Sequence, residues 1–157
     1  MPDMLVNLSH DHSCGDLIAA LKEEGIFIKR AMAPDLYEII AFVREQFNEK
    51  WAGETTKAIL NTPASCFIAV KDKKVIGFAC YDATARGFFG PTGVLESTRG
   101  KGVGKALYLK CLCDMWEQGY GYCIVGDAGP VDFYKKTSGA IVIENSWPGV
   151  YGNLVGV

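Results

Sequence analysis

"STRGKGVGKAL", residues 97–107, packs three glycines and three basic side chains into eleven positions and runs directly into an apolar, helix-forming segment. A glycine-rich turn ahead of a helix start aims several backbone N–H groups at one point, and the helix adds about half a positive charge there. Gly100, Gly102 and Gly104 allow a ligand to approach the backbone closely and allow positive φ where the turn needs it. Arg99, Lys101 and Lys105 place further charge around the mouth. The stretch therefore reads as a phosphate seat at a strand–helix junction, the kind of junction an α/β domain provides.

The register of the glycines narrows the ligand. In a P-loop centred on Gly104-Lys105, Arg99 would stand in place of the first glycine and Ala106 in place of the Mg²⁺-binding hydroxyl. The dinucleotide fingerprint fails as well: Gly100-x-Gly102 leads to Lys105, and Gly102-x-Gly104 leads to Leu107. The pattern that does fit is Arg99-x-x-Gly102-x-Gly104.

Outward from the loop, the composition bounds what the chain can be. Its 157 residues suit one domain, and a chain of this size buries roughly two-thirds of its unfolded surface. A net charge of −2 with 49% apolar residues argues against a disordered tail and against a nucleic-acid binder. No apolar run approaches the roughly 20 residues that span a bilayer, and the N-terminus lacks a basic start followed by an apolar stretch. The six cysteines (14, 66, 80, 111, 113 and 123) match no compact disulfide framework, and several lie in apolar runs where cysteine packs as a small hydrophobe. We expect a cytoplasmic protein without a metal site, binding neither nucleic acid nor membrane.

Periodicity then lays out the elements. Residues 13–24 form a helix with Leu17, Ile18 and Leu21 on one face, capped by Ser13 or Asp16 and stopped by Gly25. Residues 26–31 form a short strand. Pro34 opens a second helix whose Leu36, Ile39, Ile40, Val43 and Phe47 follow the i, i+3, i+4, i+7 pattern, and residues 53–60 form a weaker third. Residues 65–71 and 74–82 read as a strand pair turning at Asp72-Lys73. A third strand, residues 87–94, contains Gly90, Pro91 and Gly93 and is expected to bulge or lose pairing. Behind the glycine loop runs a long helix with an apolar stripe of Leu109, Leu112, Cys113 and Trp116. A strand at 122–126, a short helix at 130–139 and a strand at 140–144 follow, and the tail from Asn145 is read as holding a last short strand that closes the site or pairs with a second subunit. The order β-α-α-β-β-β-α-β-α-β after the first helix gives one mixed α/β domain, with residues 1–25 as a helical extension and 26–157 as the core.

"GVLESTRGKGVGKAL", with the strand before it and the helix behind it, resembles the acyl-CoA loop of the GNAT superfamily of N-acetyltransferases, whose pattern is Gln or Arg-x-x-Gly-x-Gly or Ala. "YCIVG" and "DFYKKTSGA" stand where that family has its next strand and a tyrosine-bearing helix, so the likeness runs from about Ile26 to Glu144. It implies a central, mostly antiparallel twisted sheet with helices on both faces and a splayed strand pair at the cofactor cleft. It also implies acetyl-CoA as co-substrate. The diphosphate would rest on the N–H groups of Gly100, Lys101, Gly102, Val103, Gly104 and Lys105 beside Arg99, with the pantetheine along Thr92, Gly93 and Val94. A backbone N–H of that strand would polarise the thioester carbonyl.

The same likeness makes Tyr134 the candidate acid for the leaving thiolate, although Gly139 follows it by five residues where the family often has four. Glu96 replaces a proline common in the family, and Asp127 stands where many members carry a cofactor-contacting asparagine; these two are the candidate bases, with Asp82 a third. His10 and His12 lie in a stretch without order signals, and neither Cys80 nor Cys123 has a histidine placed to activate it, so direct transfer from acetyl-CoA to a primary amine is expected. Tyr37, Phe47 and Trp51 are candidates for an aromatic acceptor wall, and Asp82, Glu96, Asp127 and Asp132 would suit a cationic amine. The alternative is an acyl-CoA-binding sensor that keeps the fold and lacks the chemistry; a homodimer is compatible with either.

Overall fold

Asp72 and Lys73 both carry positive φ, 51° and 64°, so the two-residue turn twists with the strands it joins. It closes a hairpin of β3 (Cys66–Lys71) and β4 (Lys74–Tyr81) at the centre of one half of a seven-stranded sheet. The computed structural model describes residues 1–156. In chain order the remaining elements are β1 (Asp3–Asn7), α1 (Gly15–Glu23), β2 (Ile26–Arg30), α2 (Leu36–Gln46), α3 (Glu49–Leu60), β5 (Phe88–Val94), α4 (Val103–Glu117), β6 (Tyr122–Val125), α5 (Val131–Ser138) and β7 (Ile141–Ile143). The strand order is β2-β3-β4-β5-β6-β1-β7, and every neighbouring pair is antiparallel except β5–β6.

Alternation along the strands feeds two cores. Phe67 and Ala69 of β3 join Leu21, Leu107, Leu112 and Met115 on the α1 and α4 side. Cys66 and Ile68 join Ile39, Val43, Ala58 and Phe78 on the α2 and α3 side. The long helix α4 is buried on more than one face, with Val103, Ala106, Leu107, Tyr108, Cys111, Leu112 and Met115 all inside. Trp116, expected in its apolar stripe, is half exposed, because the stripe is carried by Leu112 and Met115 instead.

The N-terminus departs from the sequence reading. Met4, Val6 and Leu8 are buried at alternate positions, and β1 lies between β6 and β7, pairing Leu5 with both Ile124 and Ile141. Residues 3–7 are thus an interior strand of the sheet and not part of a helical extension. Correspondingly the tail supplies no strand among the described residues: it carries a single 3-10 turn, Gly149–Tyr151, with Trp147 stacked on Tyr151. The helix α1 begins at Gly15 with Cys14 at the N-cap position, so neither Ser13 nor Asp16 caps it, and the Ser13 N–H is donated to the Asp11 carboxylate (2.9 Å). Helix α3 starts earlier than expected because Asn48 Oδ1 accepts the Trp51 N–H (2.9 Å).

One charged network ties the layers together. Arg30 on β2 grips Asp114 on α4 through both carboxylate oxygens (2.6 and 3.0 Å), and the Tyr81 hydroxyl donates to the same carboxylate (2.6 Å). Burial opposes the charge on Asp114, but the bonds from Arg30 and Tyr81 outweigh it and hold the group below the usual carboxylate range. No helix among the described residues is long and apolar enough to cross a membrane.

Candidate active site

The site begins where β5 leaves β6. The two strands pair only at Phe88–Ile124 and Phe89–Val125. At Gly90-Pro91 the β5 register slips by one residue against β4, from Tyr81↔Phe89 to Ala79↔Thr92, which is the bulge the proline and glycines required. Beyond it β5 stays on β4 alone. Leu95 donates its N–H to Ile76 O (2.8 Å), so by alternation the backbone groups of Val94 and Thr92 face the other way, into the gap beside β6.

The glycine loop closes one end of that gap. Gly100 and Gly102 take φ of 86° and 88°, and Gly102 is the left-handed N-cap of α4. The first bond back into the turn is Ala106 N–H to Gly102 O (2.9 Å). The six successive N–H groups from Gly100 to Lys105 find no acceptor among the described residues, and no side chain caps the helix. Six free donors at a helix N-terminus form an anion seat. Leu17 of α1 packs behind Gly102, where an added Cβ would stand 3.0 Å from its Cδ1.

A cavity of about 470 Å³ runs from this seat along β5. Thr92, Gly93, Val94, Arg99, Gly100, Gly102, Val103, Gly104 and Lys105 all line it; of the ten loop and strand residues expected from the sequence, only Lys101 does not. Tyr108, Phe133 and Tyr134 form its far wall. A second cavity, of about 350 Å³, lies on the other side of the split and is lined by Trp51, Phe89, Pro91, Val125, Asp127 and Tyr134 among others. Thr92, Pro130 and Tyr134 border both cavities, so the two meet at the tyrosine.

Tyr134 is 5% exposed, its ring held edge-on by Phe89, Tyr108 and Phe133. Burial, with a smaller push from Cys123, raises its hydroxyl to about 12, so it keeps its proton at neutral pH. Asp127 stands at the rim with φ of 49°; its N–H is donated to Asp3 Oδ1 (2.9 Å), and the Met1 α-ammonium lies 3.3 Å from its carboxylate.

The comparisons bear directly on this arrangement. The family model described as "Acetyltransferase (GNAT) family" matches residues 31–140, which include the split strand, the loop and the tyrosine helix. The chain belongs to the GNAT acetyltransferase family. Among solved structures, a GCN5-related N-acetyltransferase from Sphaerobacter thermophilus superposes with a TM-score of 0.69 at 18% identity, over 90% of this chain and 48% of that one. The glucosamine N-acetyltransferase region of a fungal multi-domain β-N-acetylglucosaminidase gives 0.72 at 16% identity, over 90% of this chain and 19% of that one. A GNAT acetyltransferase from Brucella melitensis, solved with acetyl-CoA, gives 0.54 at 20% identity, over 75% and 86%. The GNAT chain thus spans about a fifth and about half of the first two solved chains it matches. No curated protein matches it.

The other sequence candidates separate cleanly in this GNAT chain. Glu96 sits on a 3-10 turn (Glu96–Thr98), exposed, and borders neither cavity. Asp82 is drawn elsewhere: its carboxylate takes the Gly87 N–H (2.7 Å) and the Tyr120 hydroxyl, in a polar hollow at the far end of α4. Asp132 is exposed on α5 and Tyr37 is 84% exposed on α2, both apart from the acceptor side. Trp51 lines the second cavity, while the far end of the Phe47 ring fills the space where a Cβ of Gly93 would stand. His12 is buried and bonded through Nε2 to Asn7 O (2.8 Å), away from the cleft. Sequence reasoning passed over two residues near the acceptor cavity. Tyr151 comes from the tail and lies against Gly126, and Glu54 faces Thr84 one turn along α3 from Trp51. The i, i+3 spacing of Trp51 and Glu54 was the available signal for the latter.

Proposed function

We propose that this chain is an acetyl-CoA-dependent N-acetyltransferase acting on a primary amine. The observation that carries the reading is that two cavities share Tyr134 in their walls, one of them ending in six free amides. The Brucella relative solved with acetyl-CoA supports the choice of co-substrate. The diphosphate sits on the N–H groups from Gly100 to Lys105, and the pantetheine lies along Thr92, Gly93 and Val94 as an added strand would.

In the transfer, the amine nitrogen attacks the thioester carbonyl carbon from the second cavity. Negative charge builds on the carbonyl oxygen, and a fixed N–H on the open side of β5 stabilises it. The C–S bond breaks, the thiolate takes the hydroxyl proton of Tyr134, and the nitrogen sheds its remaining extra proton through water to the tyrosinate, which leaves a neutral amide and a restored Tyr134. Asp127 holds the incoming ammonium and accepts, directly or through water, the proton it must lose before attack. Holding both reactants across one strand gap supplies much of the acceleration.

The test is thiol release from acetyl-CoA with a mixed amine pool. Tyr134→Phe is expected to lower kcat by about 10²-fold while KM for acetyl-CoA changes less than about twofold, since the hydroxyl works on the leaving group. An unchanged kcat in Tyr134→Phe contradicts the role. Binding of acetyl-CoA with no thiol release from any amine leaves the sensor reading in its place.

A further inference from the structure

Resting on that transfer reading, we infer that Tyr151 is a specificity-determining residue of the acceptor cavity: its side chain closes the Gly126 end and so sets the length of amine the chain accepts. Gly126 lines that cavity together with Met1, Trp51, Asp127 and Tyr134. It has no side chain of its own, and the place a Cβ would take is held by the Tyr151 hydroxyl and by the Phe88 ring, whose Cδ2 would stand 2.8 Å away. A glycine in the wall thus lets a side chain from the distant tail come up to the edge of the cavity. At about 350 Å³ the cavity is near the lower end of ordinary small-molecule sites, so a phenol at one end decides much of its reach.

Two anchors hold the tail over this end. Ser146 Oγ accepts the Asp3 N–H (2.8 Å) and donates to Ile143 O (2.7 Å), which fixes the start of the tail to β1 and β7. Farther on, Val155 O accepts a hydrogen bond from Lys50 Nζ on α3. The tail is therefore a strap from β1 and β7 to the helix that carries Trp51. Between the anchors the turn Gly149–Tyr151 presents Tyr151, half-buried, with the exposed Trp147 ring stacked on it (centroids 6.0 Å apart). Its hydroxyl has the Thr84 hydroxyl as a hydrogen-bonding neighbour, and Thr84 donates to Glu54 of α3. Burial, with the carboxylates of Asp3, Glu54 and Asp127 nearby, raises the phenol, so it stays neutral and acts as a wall and not as a charge. The Tyr151 N–H is donated within its own turn, to Pro148 O (3.0 Å), so a shorter side chain removes the wall and leaves the ladder of the sheet as it is.

The experiment follows thiol release from saturating acetyl-CoA by the full chain with propylamine, hexylamine and decylamine, which share one reacting group and differ only in length. The parent chain is expected to show a kcat/KM at least about tenfold lower for decylamine than for hexylamine, since one methylene against an apolar wall is worth roughly tenfold or more. Tyr151→Ala is expected to raise the decylamine-to-hexylamine ratio at least about tenfold, while the propylamine-to-hexylamine ratio and KM for acetyl-CoA stay within about twofold. Tyr151→Leu keeps an apolar side chain in the strap without the hydroxyl that meets Gly126. It is expected to move the ratio the same way by at least about threefold, and it carries the test if Tyr151→Ala melts without cooperativity. A parent chain that takes decylamine as readily as hexylamine overturns the inference while the transfer reading stands. So does a ratio unchanged in the variants, even with a lower melting temperature, since Tyr151 is then structural only. Release from a mixed amine pool but from none of the three amines overturns it as well. No release from any amine in the pool fails the transfer reading itself, and the inference with it.

Discussion

Tyr134 keeps its proton because aromatic rings surround it and water does not. An ordinary tyrosine is half ionised at about pH 10. With burial pushing this one to about 12, its neutral form persists there. The pH profile of thiol release is therefore expected to show no falling limb from Tyr134 up to pH 10, and a limb that disappears in Tyr134→Phe would contradict this. Gly93 is constrained for a different reason: a Cβ there would run into the Phe47 ring. Gly93→Ala is expected to cost about 1–3 kcal/mol in a denaturant melt and to weaken acetyl-CoA binding, since Phe47 can yield only by pushing the strand. The glycine spacing of the loop and the tyrosine were legible in the sequence because their residue types are rare in that register. Asp127 was legible as a position, but its separation from Glu96 was not, since both are loop carboxylates and only the strand split decides which one faces the cavity.

At the scale of elements, most helices and strands followed from apolar period and from turn chemistry such as Asp72-Lys73. The strand β1 was missed for a physical reason. Its alternation of Met4, Val6 and Leu8 is short and is followed at once by "SHDHS", so the polar residues drown a period of two. The tail misled in the opposite sense: "GNLVGV" is apolar, yet Leu154 and Val155 are exposed, and the place a last strand would take is already filled by β1. Met4→Ala is expected to cost about 2–5 kcal/mol by chemical denaturation, as for a fully buried side chain between two paired strands; a loss under 0.5 kcal/mol would show β1 to be dispensable. Asp114 couples β2, β4 and α4. Because its folded carboxylate is held below its unfolded value, its contribution is complete above the unfolded value, about 3.9, and is lost as pH falls through the folded one. Asp114→Ala is expected to cost about 2–3 kcal/mol at pH 7, a difference that shrinks on acidification.

At the scale of the whole molecule, the sheet is one surface that opens along one seam. Helices α2 and α3, the latter carrying Trp51, cover one face, α1 and α4 cover the other, and the β5–β6 split lets groups from both sides meet at Tyr134. That architecture was readable in outline, because Gly90, Pro91 and Gly93 in one strand forecast a failure of pairing. Which strands flank the seam depends on long-range register, which local sequence does not encode. The measurement that tests the account most directly is isothermal titration of the chain with CoA, alongside Gly104→Glu. A Cβ at Gly104 meets Val94 at an ordinary 3.4 Å, and its φ lies outside the left-handed region, so the variant folds with a carboxylate in the anion seat. The account predicts one-to-one binding by the parent chain and at least about a hundredfold weaker binding by the variant, roughly 2.7 kcal/mol. Equal affinity in the two, or no binding by either, would contradict the claim that the diphosphate rests on the amides of residues 100–105.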